Sequence, residues 1–507
     1  MFKPVAMPVP FSFKTGVASF LLFAVFLLQC NAWANMRAGE YAYEVGDFEN
    51  AFKDYSLAAK VGNPRAQLVL STMYYHGRGV AQDKVLATVW AALASEYKYE
   101  NSTEIAKKFM AELDSTQRRK FEQLLVDYIG NYGKEMLDAS IYPVTIAENL
   151  DKKIKLSKRS RGLAELDVEL EEIEIDPFEE DIFDFEDESE DIFGFGGSTS
   201  AISKKINWLT TQYFFVTDIE IAADGTTRDI DILLQYGLTG RALKKVRLMK
   251  FPPPTFEGEP VSFYTRLLLG QSQRSLRNFS LRDKFPRLAR GIRKNKANAK
   301  SGKAHDQYIY ALTLMFFTGL HREEGEVEEL LTSASEQGLE KAMYVLGMKL
   351  YQEQTDPAKA AYWFGEAAKQ GLANAEFRLA KLQLESPWFE RNERKAMFWL
   401  IRSANQGYLY ALRELGRLQL VADNSDLHDY KSALKHLKRI QLVDKWSPET
   451  FYYLALAYRR NGDKKMAISK IEDAIFLGKQ LGRDTTEWRE TLASWQTRAK
   501  VIIEAVD

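Results

Sequence analysis

The sequence predicts a mainly α-helical protein: an α-solenoid of stacked helical hairpins with a small α+β domain inserted near the middle of the chain. Two observations support this fold class. Small residues repeat every 33–36 positions in the C-terminal third, and the hydrophobic pattern changes to a two-residue period between residues 203 and 270. The 507 residues correspond to about three domains of roughly 150 residues, and 46% of them are hydrophobic, enough to bury a large core.

The C-terminal repeat is clearest in its glycines. Gly338, Gly371 and Gly407 lie 33 and 36 residues apart, each with alanines at fixed distances before and after it. Alanines let two helices of a hairpin approach closely, and glycine ends a helix in a left-handed turn without a Cβ penalty. We therefore predict left-handed backbone at these glycines and helical hairpins over residues 304–507, with Trp363, Trp399 and Tyr410 as packing residues.

These repeats resemble the Sel1-like repeat, a relative of the tetratricopeptide repeat. The N-terminal region carries Gly-Arg-Gly-Val-Ala-Gln-Asp at residues 77–83, followed by Ala87 and Trp90, whereas residues 452–474 are more similar to a tetratricopeptide unit. The resemblance implies a second helical arm over residues 35–140. It also implies that the stacked hairpins bind a protein or peptide partner.

The central region has the pattern of a small sheet with one helix. Residues 213–222, 228–235 and 261–269 are rich in aromatic and branched side chains and predict strands, and residues 240–250 have helical spacing. Asp224-Gly225 is a strong signal for a hairpin turn between the first two strands. The predicted order is strand, strand, helix, strand.

With the Asp224-Gly225 hairpin, Phe251-Pro252 after the helix and Pro260-Val261 before the last strand, residues 203–270 resemble the C-terminal domain of the TonB family. This resemblance implies that an edge strand accepts an extended segment of an outer-membrane protein. Val261, Phe263 and Thr265 are the predicted docking residues, acting mainly through main-chain groups. The long Pro-rich spacer of TonB energy transducers is missing, which favours a binding module over a full transducer.

Two charged tracts flank this domain. Residues 141–202 are predicted to be a charged, largely disordered linker, in which residues 165–191 contain 16 Asp or Glu and no Lys or Arg. Phe183 and Phe193 occupy equivalent positions of a repeated Glu-Asp-Ile-Phe motif and are alternative candidate docking anchors. Residues 271–303 are predicted to be a basic connector, which could neutralise the acidic tract within the molecule.

The N-terminus predicts export. Lys3 and Lys14 precede an apolar run over residues 17–28, and a small-x-small site ends at Ala34. Twelve residues form a helix of about 18 Å, well short of the roughly 30 Å bilayer core. Residues 1–34 are therefore predicted to be a cleaved signal peptide of a periplasmic protein. An uncleaved anchor in the inner membrane is the alternative.

No catalytic motif accompanies these features. The single Cys excludes a cysteine-cluster metal site, five histidines are scattered, and we find no phosphate-binding loop or hydrolase motif. The net charge of −1 and the predicted export argue against nucleic acid as a partner. The sequence thus predicts a periplasmic protein-interaction scaffold without enzymatic activity, cofactor, metal or small-molecule substrate. The alternative is an anchored TonB-family energy transducer for outer-membrane transport.

Overall fold

The computed structural model describes residues 36–157, 214–236, 240–270, 286–317, 320 and 323–504. The predicted signal peptide, the two candidate anchors Phe183 and Phe193, and residues 271–285 of the basic connector lie outside the described residues. Within the described part, no helix is both long enough and apolar enough to span a bilayer.

The N-terminal arm is a set of consecutive helices, several of which begin at a capping side chain. The helices are α1 (Met36–Glu44), α2 (Phe48–Ala59), α3 (Pro64–His76), α4 (Lys84–Glu96), α5 (Ser102–Ala111), α6 (Ser115–Tyr132) and α7 (Lys134–Ser140). Asn63 caps α3, Asp83 caps α4, and Asp114 forms a capping box with Gln117 at the start of α6. Such caps satisfy backbone N–H groups that have no partner within the helix.

The loop between α3 and α4 explains the glycines of the repeat signature. Gly79 has a φ of +67°, and a Cβ at this position would lie 2.0 Å from the carbonyl oxygen of Phe48 at the start of α2. No side chain fits in this space. The signature therefore records a contact between the loop and the preceding hairpin, rather than only a turn.

Residues 141–157 form an ordered segment, here called the strap, that lies against the C-terminal repeats. Main-chain bonds join Ile146 N to Trp388 O (2.9 Å) and Glu390 N to Val144 O (2.9 Å), and Trp399 Nε1 donates to Ile141 O (2.7 Å). The start of the predicted linker is thus folded. What remains of that linker, residues 158–202, lies outside the described residues.

The β module, residues 214–270, is a three-stranded antiparallel sheet with one helix. Its elements are β1 (Phe214–Ile221), β2 (Thr227–Tyr236), α8 (Gly240–Leu248), β3 (Thr255–Phe256), β4 (Glu259–Pro260) and β5 (Phe263–Gly270). The order across the sheet is β2-β1-β5, and β3 pairs with β4 in a separate two-stranded ladder. Gly225, at the predicted hairpin, has a φ of +78°. The predicted order strand, strand, helix, strand is present, with the short β3–β4 ladder added before the last strand.

The C-terminal arm is a longer array of helical hairpins. Its helices are α9 (Pro286–Ala299), α10 (Ala304–Phe316), α11 (Glu326–Glu336), α12 (Glu340–Glu353), α13 (Pro357–Lys369), α14 (Ala373–Glu385), α15 (Glu393–Asn405), α16 (Leu409–Val421), α17 (Tyr430–Gln441), α18 (Pro448–Arg460), α19 (Lys464–Gln480) and α20 (Thr486–Glu504). Gly338, Gly371 and Gly407 have φ values of +89°, +85° and +87°, which confirms the predicted left-handed turns. Trp363 and Trp399 are buried, as expected of packing residues.

The two arms are joined directly. Asn63 donates from Nδ2 to the carbonyl oxygen of Lys369 (3.0 Å), Met36 N donates to Gln370 O (3.2 Å), and Arg37 pairs with Glu340 (2.9 Å). Tyr142 of the strap adds a bond from its hydroxyl to Val61 O (2.9 Å). These links place the turn before α3 against the C-terminal end of α13.

Candidate functional site

The sheet of the β module has one apolar and one charged face, because side chains alternate along a strand. Phe215, Ile219 and Ile221 of β1 pack with Val246 of α8 in an apolar core. The other face carries mostly charged side chains, which include Asp218, Glu220, Asp229, Asp231 and Arg266. Asp218, Glu220 and Asp229 are nevertheless buried.

The charged face is buried because it lies on the C-terminal repeats. Four alternate helices, α12, α14, α16 and α18, supply the side chains that contact the module; we call this surface the inner face. Among the described residues, it meets the sheet through four ion pairs. They are Glu220–Lys381 (3.0 Å), Asp231–Arg378 (3.1 Å), Asp229–Arg413 and Arg228–Glu449 (3.5 Å). The C-terminal repeats thus bind the β module in the way that they would bind a separate protein.

A β-bulge lets neighbouring residues of β2 reach the inner face. The β1–β2 register shifts between the pairs Asp218↔Asp231 and Glu220↔Arg228, and Asp229 has a φ of +45°. In a regular strand Arg228 and Asp229 would point to opposite faces. Here Arg228 pairs with α18 while Asp229 pairs with α16. The left-handed backbone, unfavourable for a non-glycine residue, is held in place by these contacts.

Side chains of the C-terminal arm also bind the main chain of β2. Tyr410 donates its hydroxyl to Ile230 O (2.6 Å), and Arg483 donates to Thr227 O (2.8 Å). Tyr408 donates to the Asp231 carboxylate, with both oxygens at 2.9 Å. Main-chain contacts of this type resemble those by which proteins capture an extended peptide. Tyr410, predicted as a packing residue, therefore also recognises backbone.

Burial and pairing with cations shift the pKa values of the buried carboxyl groups in opposite directions. Burial raises the pKa of Glu220 to about 8, against the attraction of Lys381. Burial also raises the pKa of Asp231 to about 7, opposed by Arg378 and by the Tyr408 hydroxyl. For Asp229 the effect of burial is outweighed by Arg413, by Lys381 and by a hydrogen bond from Glu220, so its pKa is lowered. Glu220 and Asp229 therefore titrate as a pair, with their pKa values shifted in opposite directions.

The interface has little room for a small molecule. A cavity beside Tyr264, Arg378, Lys381 and Glu385 has a volume of about 20 Å³, whereas sites for small organic ligands usually enclose at least about 300 Å³. Within the described residues, no group of three His, Cys, Asp or Glu side chains is arranged to hold a metal ion. The arrangement is suited to holding polypeptide.

Of the three predicted docking residues, Phe263 lies at this interface. The ring of Phe263 is buried, stacked on Tyr351 with centroids 5.2 Å apart and edge-on to Trp388 at 6.5 Å. Thr265 is also buried, and Val261 is half-buried against the core of the C-terminal arm. Their side chains are therefore used within the molecule. The predicted main-chain docking of a partner on β5 stays a prediction.

Sequence reasoning missed the charged residues of the interface. Their spacing is the one signal in the sequence. Asp218 and Glu220 alternate with apolar residues in a strand, and Arg378, Lys381 and Glu385 recur at helical spacing. Considered alone, each set has the pattern of a charged, solvent-exposed face. Only their complementarity of charge, across about 150 residues of chain, indicates that they face each other.

The repeats match a known family. Residues 34–60, 64–96, 340–372 and 373–408 match the family model described as Sel1 repeat. Four segments of this chain thus match the Sel1 repeat. Two of them lie in each arm, and proteins with Sel1 repeats generally mediate protein–protein interactions. The match leaves the β module unassigned, so its resemblance to the TonB C-terminal domain remains a prediction.

Solved structures give further likenesses. A Sel1 repeat protein from Oxalobacter formigenes is 19% identical to this chain and superposes with a TM-score of 0.32. The alignment covers 45% of this chain and 99% of that protein. A protective antigen of uropathogenic Escherichia coli with an SLR fold is 16% identical and has a TM-score of 0.33. The alignment covers 90% of this chain and 76% of that protein. An immunity protein from Pseudomonas aeruginosa is 22% identical and has a TM-score of 0.23. The alignment covers 35% of this chain and 65% of that protein. The curated proteins include no match.

Proposed function

We propose that this Sel1-repeat protein is an exported scaffold that binds protein partners, with the β module held as an internal ligand of its C-terminal repeats. One observation carries the proposal: the inner face already recognises a folded polypeptide through ion pairs and main-chain hydrogen bonds. A surface that binds strands in this way is chemically equipped for protein recognition. Export rests on the signal sequence in residues 1–34.

The N-terminal arm offers a surface for an external partner, here called the aromatic cluster. It consists of the half-buried rings of Tyr43, Phe48, Phe52, Tyr74, Tyr128 and Tyr132 around the buried Trp90. Phe52 and Tyr74 contact each other edge to face at 5.3 Å, as do Trp90 and Tyr128 at 5.4 Å, whereas Tyr132 stacks on Trp90 at 5.8 Å. Aromatic side chains that are only partly covered supply large contact areas at little entropic cost, which suits a protein interface.

Site-specific photocrosslinking in cells tests this proposal. A photoreactive phenylalanine analogue in place of Tyr132 or Tyr43 should give a discrete protein adduct, identifiable by mass spectrometry. Tyr362 on α13 is the matched control, since it is a tyrosine with 57% of its surface exposed but lies outside the aromatic cluster. Absence of adducts at both cluster positions, or the same adducts at Tyr362, would contradict the proposal.

The edge-strand contact expected from the TonB resemblance is the finer part of the proposal. The strand, strand, helix, strand order supports it. Since Phe263 is buried against the repeats and Thr265 is also buried, a partner strand on β5 would have to use main-chain groups or loosen the module from the inner face. The alternative of an anchored energy transducer is decided by sequencing the N-terminus of the protein from a cell fraction. A mature chain that begins at Asn35 excludes it.

A further inference from the structure

Helix α9 carries exposed cations that form no ion pair with the residues that the structure describes. Its apolar side, with Ala289, Ile292 and Ala299, is buried in the core of the C-terminal arm. The opposite side and the following turn carry exposed basic residues, which we call the basic face: Arg290, Arg293, Lys294, Lys300 and Lys303. None of the five has a carboxylate partner among the residues that the structure describes.

Elsewhere the described surface contains many ion pairs, and the interface of the β module with the inner face matches carboxylates to cations one by one. Arg290, Arg293 and Lys294 have i, i+3 and i+4 spacing, so they stand side by side on α9. Clustered cations without counter-charges repel one another and favour an anionic ligand.

We infer that the basic face binds the acidic tract of the same chain, residues 165–191. Charge complementarity is the first argument. The tract contains 16 carboxylates and no cation, whereas residues 274–303 contain 11 cations and a single carboxylate, Asp283. Opposite charges at this density attract over distances of about 10 Å at an ionic strength of 0.1 M.

Chain geometry is the second argument. Phe214 and Gly270 are register partners in the β1–β5 ladder, so the chain enters and leaves the β module at the same point. The 22 residues between the tract and Phe214 can span up to about 75 Å, whereas the 16 steps from Gly270 to Pro286 span at most about 55 Å. The tract can therefore always reach α9. Tethering of this length gives an effective concentration of the order of millimolar, which favours the intramolecular contact over a second copy.

Zero-length carbodiimide crosslinking of the full chain tests this inference, because the reagent joins carboxylates to lysines in direct contact. The tract contains no lysine, so every crosslink from it identifies its partner. At about 10 mM salt we expect crosslinks from the tract to Lys294, Lys300 and Lys303 in the monomer. At 1 M salt, where the Debye length is about 3 Å, they should fall at least tenfold.

Two sets of variants provide the comparison. Reversing the basic face with Arg290→Glu, Arg293→Glu and Lys294→Glu should reduce crosslinks to Lys300 and Lys303 about tenfold. Lys464→Glu with Lys465→Glu on α19 changes two lysines that are equally exposed and should leave the crosslinks unchanged. Crosslinks that are equally frequent at Lys464, insensitive to salt, or confined to a dimer would overturn the inference.

An anionic membrane is the competing ligand for the basic face, and vesicle sedimentation distinguishes it. If the tract covers the basic face, the full chain should bind anionic phosphatidylglycerol vesicles only weakly at low salt. Replacing the carboxylates of the tract by amides should then strengthen that binding. Equal and strong binding of both proteins would show that the basic face is already free for lipid, and would overturn the inference.

Discussion

Asp54 of α2 is an isolated carboxylate inside the N-terminal arm. Its side chain is 2% exposed, and its Oδ1 has no hydrogen-bond partner among the described residues. Burial raises the pKa of Asp54 to about 6, and only the neighbouring Lys53 opposes the effect. An ionised carboxylate in such a place is unfavourable, because it gives up hydration without gaining an ion pair.

Asp54→Asn should therefore stabilise the N-terminal arm at high pH only. A pKa that is higher in the folded than in the unfolded state means that ionisation destabilises the fold as pH rises from about 4 to about 6. The asparagine variant cannot ionise at this position, so it does not lose stability over this pH range. We expect it to match the wild type at pH 4 and to be more stable by about 1 kcal/mol at pH 8, after allowance for solvent screening.

Thermal or denaturant unfolding followed at the two pH values checks this difference. Asp127→Asn on α6 is the control, since Asp127 is exposed and the substitution should change stability little at either pH. If Asp54→Asn destabilised the arm at pH 8, Asp54 would have to serve an ionic contact, contrary to its description as an isolated carboxylate.

At the level of elements, the sheet depends on a buried ion pair between its central strand and its edge. Arg266 of β5 donates two hydrogen bonds to Asp218 of β1, both at 2.9 Å, and Gln352 of α12 adds a third at 3.0 Å. Asp218 is fully buried and Arg266 nearly so. The pair thus links two strands of the module and one helix of the inner face.

Removing one partner of this pair should cost far more than removing both. Asp218→Ala leaves a guanidinium buried without its carboxylate, and we expect a loss of about 3–5 kcal/mol. Asp218→Val combined with Arg266→Met replaces the pair by apolar side chains and should recover most of this loss. Native-state hydrogen exchange of the amides of β5 measures the local opening free energy directly.

Asp138→Ala provides the comparison for an exposed pair. Asp138 bonds Lys134 at 2.6 Å, but both side chains are about half exposed, so the expected loss is below about 1 kcal/mol. Similar losses for Asp218→Ala and Asp138→Ala would contradict the view that burial makes the Asp218–Arg266 pair sensitive.

The sequence predicted most of the helices and strands, but it did not predict how they pack against one another. Repeat spacing, Asp224-Gly225 and the left-handed glycines are local signals, because each turn is determined by the residues within it. The contact of Asp231 with Arg378 joins residues 147 positions apart, and both residues look like solvated charges when considered singly. The strap likewise has no helical or strand period of its own, since its order comes from the repeats it contacts.

For the whole molecule, the joint between the arms decides whether the repeats behave as one unit. In a repeat protein each hairpin is stabilised mainly by its neighbours. Here the N-terminal hairpins contact the end of α13 across a long separation in sequence, chiefly through Asn63. This residue has two roles: Oδ1 caps α3 by accepting from Ala66 N (2.9 Å), and Nδ2 donates to Lys369 O.

Asn63→Ser separates these two roles. Serine is as good an N-cap as asparagine, but it is too short to reach the carbonyl oxygen of Lys369. That buried carbonyl then lacks this donor, at a cost of about 1–3 kcal/mol. Because the cost falls on the joint, amides of α2–α4 should exchange with solvent about 5- to 100-fold faster, while those of α14–α16 should keep their rates.

Asp47→Ser is the matched control, because Asp47 caps α2 in the same way but lies exposed and outside the joint. It should leave exchange in α3 and α4 unchanged. Unaltered exchange in Asn63→Ser would show that the arms are stable independently of each other. Faster exchange throughout α14–α16 would show instead that both arms open together as a single cooperative unit. Only faster exchange restricted to the N-terminal arm fits two repeat arrays that open separately and are joined at the contact of Asn63 with Lys369.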